Sequence, residues 1–210
     1  MTKPVLIIVG ADKGGVGKTM ISRALLDYLK ANGFEHRAFD TENETPNGVL
    51  KRFYPDRTAI VDLADSDGQM QVFDTLGAAV TVIDIRAGLL SPTLKTLAEI
   101  GFLDPAKYAL IVLHVLGNTQ TSIDEVKPVT DQLAGLRYIA VGNRINDTKF
   151  DFPAGALDVP PLNARAVEAV DQANASFSDF INSGASAVLR GYVRHWLSIV
   201  HAQFAAVKLP

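Results

Sequence analysis

Continuous apolar runs alternate with amphipathic stretches along the chain. The first run, VLIIVG at 5–10, is bounded by charge and glycine, which predicts a strand buried on both faces. The stretch at 18–33 places apolar residues such as Ile21 and Leu25 at helical spacing and ends at Gly33, which predicts a helix packed on that strand. The chain therefore opens with a strand, a glycine-rich loop and a helix.

The same pattern continues to the end of the chain. Further strands are predicted at 36–40, 58–63, 78–85, 108–116 and 136–143. Helices are predicted at 91–101, 121–135 with a kink at Pro128, 163–181 and 187–207. Strands that alternate with helices favour an α/β fold with a mostly parallel, twisted sheet flanked by helices on both faces. We expect one domain over residues 1–210.

Composition narrows the class of protein. Hydrophobic residues make up 48% of the 210 residues and charged residues 20%, enough for a substantial core. The absence of cysteine excludes disulfides, thiolate metal sites and cysteine nucleophiles. A net charge of -3 gives no overall attraction to nucleic acid. No apolar run is long enough for a signal peptide or a membrane span, so we expect a cytoplasmic protein and consider membrane binding unlikely.

The loop after the first strand, ADKGGVGKTM at 11–20, carries the main chemistry. Its strand–loop–helix context is what a phosphate-binding loop requires, because glycines turn backbone N–H groups toward the phosphates at a helix N-terminus. The predicted nucleotide contacts are Gly14, Gly15, Val16, Gly17, Lys18, Thr19 and Met20. Lys18 is expected to reach the β and γ phosphates, and the Thr19 hydroxyl to bind Mg²⁺. The fold expectation becomes a single-domain P-loop NTPase.

A second lysine, Lys13, precedes the glycine pair. The string KGGVGKT resembles the deviant Walker A motif of the ParA/MinD family of partitioning and positioning ATPases. The resemblance implies an ATP- and Mg²⁺-dependent, slowly hydrolysing ATPase that forms an ATP-dependent homodimer. It also implies that Lys13 crosses the dimer interface to the partner's phosphates, much as an arginine finger does, and acts in catalysis with Lys18.

Two strand-end aspartates are implied to complete the site. Asp40 matches the first aspartate of the family's acidic switch motif, a metal and catalytic position, while Glu42 and Asn43 depart from that motif. Asp84 ends an apolar strand like a Walker B aspartate and is expected to act in Mg²⁺ binding with Thr19. Arg86 departs from the usual residue and is expected at the solvent or the dimer rim. A plain turn-capping role for Asp40 remains an alternative.

The resemblance also implies a contact with the base. Asn143 ends a strand and is followed by Arg144, where relatives place an asparagine against the adenine edge; an amide can both donate to and accept from a purine. Pro160 lies in DVPPLN, which is similar to the family's proline loop beside the base. An asparagine that only shapes a turn is the alternative for Asn143. His114 is expected to be a core histidine.

The biological role is less constrained. The stretches at 20–33, 40–48 and 160–181 resemble the small StbB/TraL-type ATPases of conjugative plasmids. This resemblance favours a switch in DNA segregation, positioning or conjugation, with a small DNA-binding or adaptor protein as partner. Non-specific DNA is a further candidate ligand, because the last helix carries basic residues beside its apolar stripe, although a helix docked on the core explains the same pattern: Arg190, Arg194, His201 and Lys208. The alternatives are a metabolic enzyme of the dethiobiotin synthetase or cobyrinate amidase type and a non-hydrolysing ATP-binding adaptor.

Overall fold

A seven-stranded sheet runs through the computed structural model, which describes residues 3–77, 79–133, 135–146 and 149–210. Its strands are β1 (Val5–Gly10), β2 (His36–Asp40), β3 (Thr58–Ile60), β4 (Val80–Asp84), β5 (Ala109–Leu116), β6 (Arg137–Asn143) and β7 (Leu157–Val159). Their order in the sheet is β3-β2-β4-β1-β5-β6-β7, and every pairing is parallel. The sheet is therefore parallel throughout, which agrees with the α/β prediction.

Helices cover both faces of this sheet. They are α1 (Lys18–Ala31), α2 (Ser66–Phe73), α3 (Leu90–Glu99), α4 (Gln120–Asp124), α5 (Val126–Thr130), α6 (Ala164–Ala173), α7 (Phe177–Ile181) and α8 (Ala187–Ala206). Side chains alternate along β1, so that Ile7 and Val9 pack with α1, α6, α7 and α8, whereas Leu6 and Ile8 pack with α2, α3 and α5. The unbroken apolar run of β1 thus reflects burial on both sides.

The topology gathers the predicted site at one edge of the sheet. β1 lies between β4 and β5, so the connections on its two sides diverge at its carboxyl end. In open α/β sheets, ligands bind outside the carboxyl ends of the strands at such a point. Asp84 is paired with Val9 of β1 and with Asp40 of β2, so the two aspartates end neighbouring strands.

Two predicted helices are interrupted. The 121–135 helix breaks at Glu125 into α4 and α5 rather than at Pro128. Pro128 instead lies in the first turn of α5, where its missing N–H is not needed. The 163–181 helix divides at Asn174, whose φ of 47° is left-handed, and α7 then begins after the Ser176 cap. Asparagine tolerates that conformation better than most residues, and it ends α6.

Other differences involve short or polar elements. The eight residues of α2, SDGQMQVF, were not predicted because few of them are apolar; Asp65 caps the helix by accepting from the Gly68 N–H. The three-residue β7 was also missed. The strand predicted at 78–85 is observed at Val80–Asp84. Ala78 itself, and Ala134 of the predicted 121–135 helix, lie outside the described residues.

The last helix, α8, is docked on the core by its apolar stripe. Val193, Trp196, Leu197, Val200 and Phe204 are buried. Its basic residues do not share one free face as expected. His201 turns toward α1, with its ring edge-on to Tyr28 at 5.4 Å, and Arg190 donates to the Ile181 carbonyl. The docked-helix interpretation therefore describes α8 better than a nucleic-acid surface does.

Candidate functional site

The phosphate loop connects β1 to α1 and depends on left-handed glycines. Gly15 has a φ of 74° and Gly17 a φ of 85°. At Gly17 space is also restricted, since a Cβ would lie 2.2 Å from Asn143 Nδ2. That amide donates to the Val16 carbonyl at 2.9 Å and supports the loop from below. Both the backbone conformation and the packing therefore require glycine at position 17.

Lys18 lies over the loop that it follows. Its ammonium donates to the Lys13 carbonyl at 3.2 Å, a contact with a neutral acceptor. Burial lowers the pKa of Lys18, while the carboxylates of Asp84, Glu125, Asp12 and Glu42 raise it. The side chain is thus a partly desolvated cation with no ion pair in the described chain, which suits it to receive an anion.

Asp84 is held by two hydroxyls of α1. Thr19 Oγ1 donates to one carboxylate oxygen at 2.7 Å and Ser22 Oγ to the other at 2.8 Å. Burial raises the pKa of Asp84 to about 7; the Thr19 and Ser22 hydrogen bonds and Lys18 oppose this rise, and nearby Asp40 adds to it. Sequence reasoning missed Ser22, although it lies three residues after Thr19 and hence on the same helix face.

This arrangement fits a bound Mg²⁺. A buried carboxylate whose negative charge is disfavoured by burial and by a second carboxylate is relieved by a nearby cation. A hydroxyl and a carboxylate offer the oxygen ligands that Mg²⁺ takes alongside water and phosphate oxygens. In the described part of the chain, no group of three or more His, Asp or Glu residues is placed to hold a metal by protein ligands alone. Thr19 and Asp84 would hold the ion together with nucleotide.

Asp40 is fully engaged with backbone. Its Oδ2 accepts from the N–H groups of Val49, Leu50 and Lys51 at 2.7, 2.7 and 3.1 Å, and its Oδ1 accepts from Glu42 N at 2.9 Å. The carboxylate therefore fixes the segment 42–51, which follows β2. This is the turn-capping alternative; the metal and catalytic role of Asp40 stays a prediction.

These groups line one cleft at the carboxyl edge of the sheet. Its volume is about 280 Å³, and its wall includes Gly15, Gly17, Lys18, Thr19, Met20, Asp40, Glu42, Val49, Asp84, Ile85, Arg86 and Ala87. Arg86 extends along the rim, where it pairs with Glu44 at 2.6 Å and contacts Asn43 Oδ1 at 3.3 Å. Arg86, which replaces the residue usual in the family motif, is thus bonded to the segment that follows Asp40.

Lys13 stands apart from the other charged residues of the loop. Its side chain is exposed, and within residues 3–77, 79–133, 135–146 and 149–210 its ammonium has no hydrogen bond or ion pair. Only its carbonyl is engaged, by Lys18. An unpaired ammonium beside a phosphate loop is free to bind an anion outside its own cleft.

The three residues predicted to bind the base lie together, outside the wall of the 280 Å³ cleft. Asn143 is buried beneath the phosphate loop and is joined to it by its hydrogen bond to the Val16 carbonyl. Arg144 forms a two-pronged ion pair with Asp158 at 2.6 and 3.0 Å, which commits its guanidinium to β7. The Pro160 carbonyl accepts from Trp196 Nε1 at 2.7 Å, which ties the proline loop to α8. Base binding by these residues stays a prediction.

A buried polar cluster lies behind the loop. His114 of β5 is fully buried, as expected of a core histidine, and its Nδ1 lies 3.0 Å from the Tyr138 hydroxyl. Its Nε2 lies 3.5 Å from Glu125 Oε2, an ion-pair contact if the ring is protonated, and it has no hydrogen bond within the described chain. Burial lowers the pKa of His114, and Glu125 opposes that change. Sequence reasoning did not identify Glu125, because it lies far from the loop in sequence.

Comparison with known proteins supports the α/β fold and shows a distant sequence similarity to another protein. No protein-family model matches the chain. The chain is 27% identical over 165 residues to protein MobD of Acidithiobacillus ferrooxidans, covering 72% of this chain and 69% of that protein. The structure resembles the MinD cell division protein of Aquifex aeolicus with a TM-score of 0.50 and 14% identity, covering 93% and 97% of the two chains. The chain thus shares the α/β fold of MinD. None of the described helices combines the length and apolar character needed to cross a bilayer.

Proposed function

We propose that the protein is a P-loop ATPase of the ParA/MinD type that acts as an ATP-dependent dimerisation switch. The observation that carries the proposal is the convergence of Lys18, Thr19 and Asp84 on one cleft beneath a left-handed glycine loop. The cleft lies at the carboxyl edge of the parallel sheet, where open α/β proteins bind ligands, and this supports the proposal. The exposed, unpaired Lys13 supports the deviant form of the motif.

The residues of the chain have separate tasks in this proposal. The Lys18 ammonium leaves the neutral Lys13 carbonyl for a phosphate oxygen, because a charge-assisted contact is the stronger one. Asp84 orients the Thr19 hydroxyl and holds negative charge at the metal position. Mg²⁺, when bound, supplies positive charge that stabilises charge developing on the phosphates. The glycine N–H groups bind the phosphates from below.

Asn143 is proposed to select adenine through its remaining oxygen. One N–H of its Nδ2 donates to the Val16 carbonyl, and its Oδ1 is the atom proposed to face the base. An acceptor favours the 6-amino group of adenine and repels the O6 acceptor of guanine. Arg144 and Pro160 would shape the base pocket by holding β7 and α8 beside it.

Lys13 is proposed to act only between two subunits. Two triphosphates that face each other across a dimer need added positive charge, and Lys13 offers an unpaired ammonium at the loop's exposed front. Lys18 serves the phosphates of its own subunit. The two lysines should therefore be separable by experiment.

The test compares Lys18→Ala with Lys13→Ala. We expect Lys18→Ala to lose most ATP affinity. Lys13→Ala should bind ATP as a monomer but lose ATP-dependent association, hydrolysis or both. One charge-assisted contact contributes about 1.5–3 kcal/mol, which is more than tenfold in a dimerisation constant. Fluorescent nucleotide titration and light scattering with a slowly hydrolysed ATP analogue measure the two properties.

Lys95→Ala is the matched control for these variants. Lys95 is exposed on α3, so its loss changes the net charge equally at a site outside the cleft. It should leave nucleotide binding and association unchanged. Normal dimerisation and hydrolysis by Lys13→Ala would reduce Lys13 to a solvated loop lysine and remove the main support for the switch.

A second candidate is an ATP-binding adaptor that does not hydrolyse its nucleotide. The engagement of Asp40 by four backbone N–H groups favours it, because Oδ2 already accepts three of them and only Oδ1, which accepts one, keeps a lone pair for water. Phosphate release separates the candidates. Release from ATP without a further substrate supports the ATPase, tight ATP binding without release supports the adaptor, and release that requires a small carboxylic acid supports a metabolic kinase.

The proposed cellular role is in plasmid or DNA segregation, positioning or conjugation, as in the StbB/TraL type. Its support is the resemblance of the loop and switch motifs. A small DNA-binding or adaptor protein would be the activating partner, and non-specific DNA a further ligand. Stimulation of phosphate release by DNA or by such a partner would support this role; identical rates with and without both would contradict it.

A further inference from the structure

Asp12, the residue before Lys13, is held on three sides by separate parts of the chain. Its N–H donates to Glu125 Oε2 at 3.0 Å, and its carbonyl accepts from the Gly88 N–H at 2.9 Å. Its carboxylate accepts from the Ser91 N–H at 3.1 Å and from the Ser91 hydroxyl. The backbone just ahead of Lys13 is therefore fixed in place and orientation.

These contacts join the front of the loop to the segment after Asp84. Gly88 and Ser91 lie at the exit of β4 and the start of α3, while Glu125 lies at the junction of α4 and α5. The Lys13 carbonyl in turn receives the Lys18 ammonium. The position of residue 12 thus sets the starting geometry of the Lys13 backbone.

The same contacts keep two carboxylates away from Lys13. The Asp12 carboxylate is occupied by Ser91, and Glu125 is occupied by the Asp12 N–H with His114 behind it at 3.5 Å. Neither forms an ion pair with Lys13. In an unrestrained loop, a neighbouring aspartate would be a natural partner for this ammonium, which would then be neutralised within its own subunit.

We propose that Asp12 and Glu125 are positioning residues that fix the backbone of Lys13, so that its ammonium projects from the rim toward a second copy of the chain. The inference rests on the proposed dimerisation switch. Glu125 contributes the bond to the Asp12 N–H, and Ser91 contributes the bond that retains the Asp12 carboxylate. Lys13 is consequently presented unpaired before the two subunits meet.

The test uses Glu125→Ala, the conservative Glu125→Gln, and Asp124→Ala as control. Glutamine keeps an oxygen that can accept from Asp12, whereas alanine does not. Asp124 is the exposed neighbour of Glu125, and its carboxylate accepts from Gln120 rather than from the loop. Hydrogen exchange of the Asp12 amide, read in the nucleotide-free protein, is the first measurement. We expect it to accelerate at least tenfold in Glu125→Ala and less than threefold in the other two variants.

The second measurement separates positioning from general stability. Glu125 is one of the carboxylates whose charge acts on Lys18, so its removal should leave monomer affinity for an ATP analogue unchanged or slightly tighter. Association with that analogue should nevertheless weaken at least fivefold in Glu125→Ala and stay within twofold of the parent in Glu125→Gln. A merely structural role would weaken binding and association together, in both variants.

The outcomes are distinct. Unchanged Asp12 exchange in Glu125→Ala overturns the inference, as does accelerated exchange with normal association. Failure of the parent protein to associate with any ATP analogue overturns the dimerisation switch instead, and with it the role assigned to Lys13. In that event accelerated exchange in Glu125→Ala, reversed in Glu125→Gln, still supports Glu125 as the residue that positions the loop.

Discussion

The buried carboxylate of Asp84 should make the nucleotide-free protein less stable as pH rises. Burial raises the pKa of Asp84 from 3.8 to about 7, so the folded state favours the protonated acid more than the unfolded state does. The resulting contribution to stability is complete below pH 3.8 and is lost as pH rises through about 7. The full loss corresponds to about 4 kcal/mol.

Asp84→Asn removes this titration while retaining a side chain of the same shape. Its amide oxygen can still accept from Thr19, and its NH₂ group can donate to the Ser22 oxygen. Both contacts with α1 are therefore kept, with the hydrogen bond to Ser22 reversed in direction. Between pH 5 and pH 8 the variant should gain about 2–3 kcal/mol relative to the parent. Over most of that range the unfolded parent is ionised at this position while the folded parent keeps its proton up to about pH 7, and asparagine does not titrate. Denaturant unfolding of both proteins without nucleotide or Mg²⁺ measures the difference.

A control and a reversal complete this prediction. Asp124→Asn changes the same charge at an exposed position and should track the parent at every pH. Added Mg²⁺ and ATP analogue should stabilise the parent but not Asp84→Asn, since the carboxylate that is costly when alone becomes favourable beside the cation. If the stability difference between the parent and Asp84→Asn stayed constant from pH 5 to pH 8, the raised pKa assigned to the buried Asp84 carboxylate would be refuted.

Three further predictions address the loop and its neighbours. Gly17→Ala should weaken ATP binding at least tenfold in nucleotide titration, because its Cβ would meet Asn143 Nδ2 at 2.2 Å; Gly15→Ala, whose Cβ meets no atom within 4 Å, should lose less, and equal losses would contradict the steric argument. Asp40→Asn should release the segment 42–51, seen as faster tryptic cleavage there at unchanged global stability; parental cleavage rates would show that Asp40 is not its anchor. ATP should compete better than GTP for a labelled nucleotide, and equal competition would remove Asn143 from base selection.

The sequence was sufficient for the parts of the molecule that depend on local pattern. The apolar run of β1, the glycines of the loop and the stripe of α8 each predicted their observed structure, because burial and left-handed backbone restrict residue choice strongly. Short elements such as β7 carry too few residues to show a pattern.

Contacts between distant segments were the part that could not be predicted. The bond from Asp12 to Glu125 spans 113 residues, and that from Asn143 to Val16 spans 127. No periodicity encodes such pairs. The engagement of Asp40 by Val49, Leu50 and Lys51 was invisible for the same reason, since it depends on how the following loop folds back.

The backbone hydrogen bonds to the Asp40 carboxylate link the rate of any reaction in the cleft to the conformation of the segment 42–51. A step that draws this carboxylate toward water competes with its hydrogen bonds from the N–H groups of residues 42 and 49–51. Loss of those hydrogen bonds would detach the segment 42–51, which carries Glu44, the ion-pair partner of Arg86, and which continues directly into Arg52, the partner of Asp171 on α6. Hydrolysis in the cleft and the shape of the surface around it would then change together. A partner that binds this segment would therefore control the rate of the reaction without contacting the nucleotide.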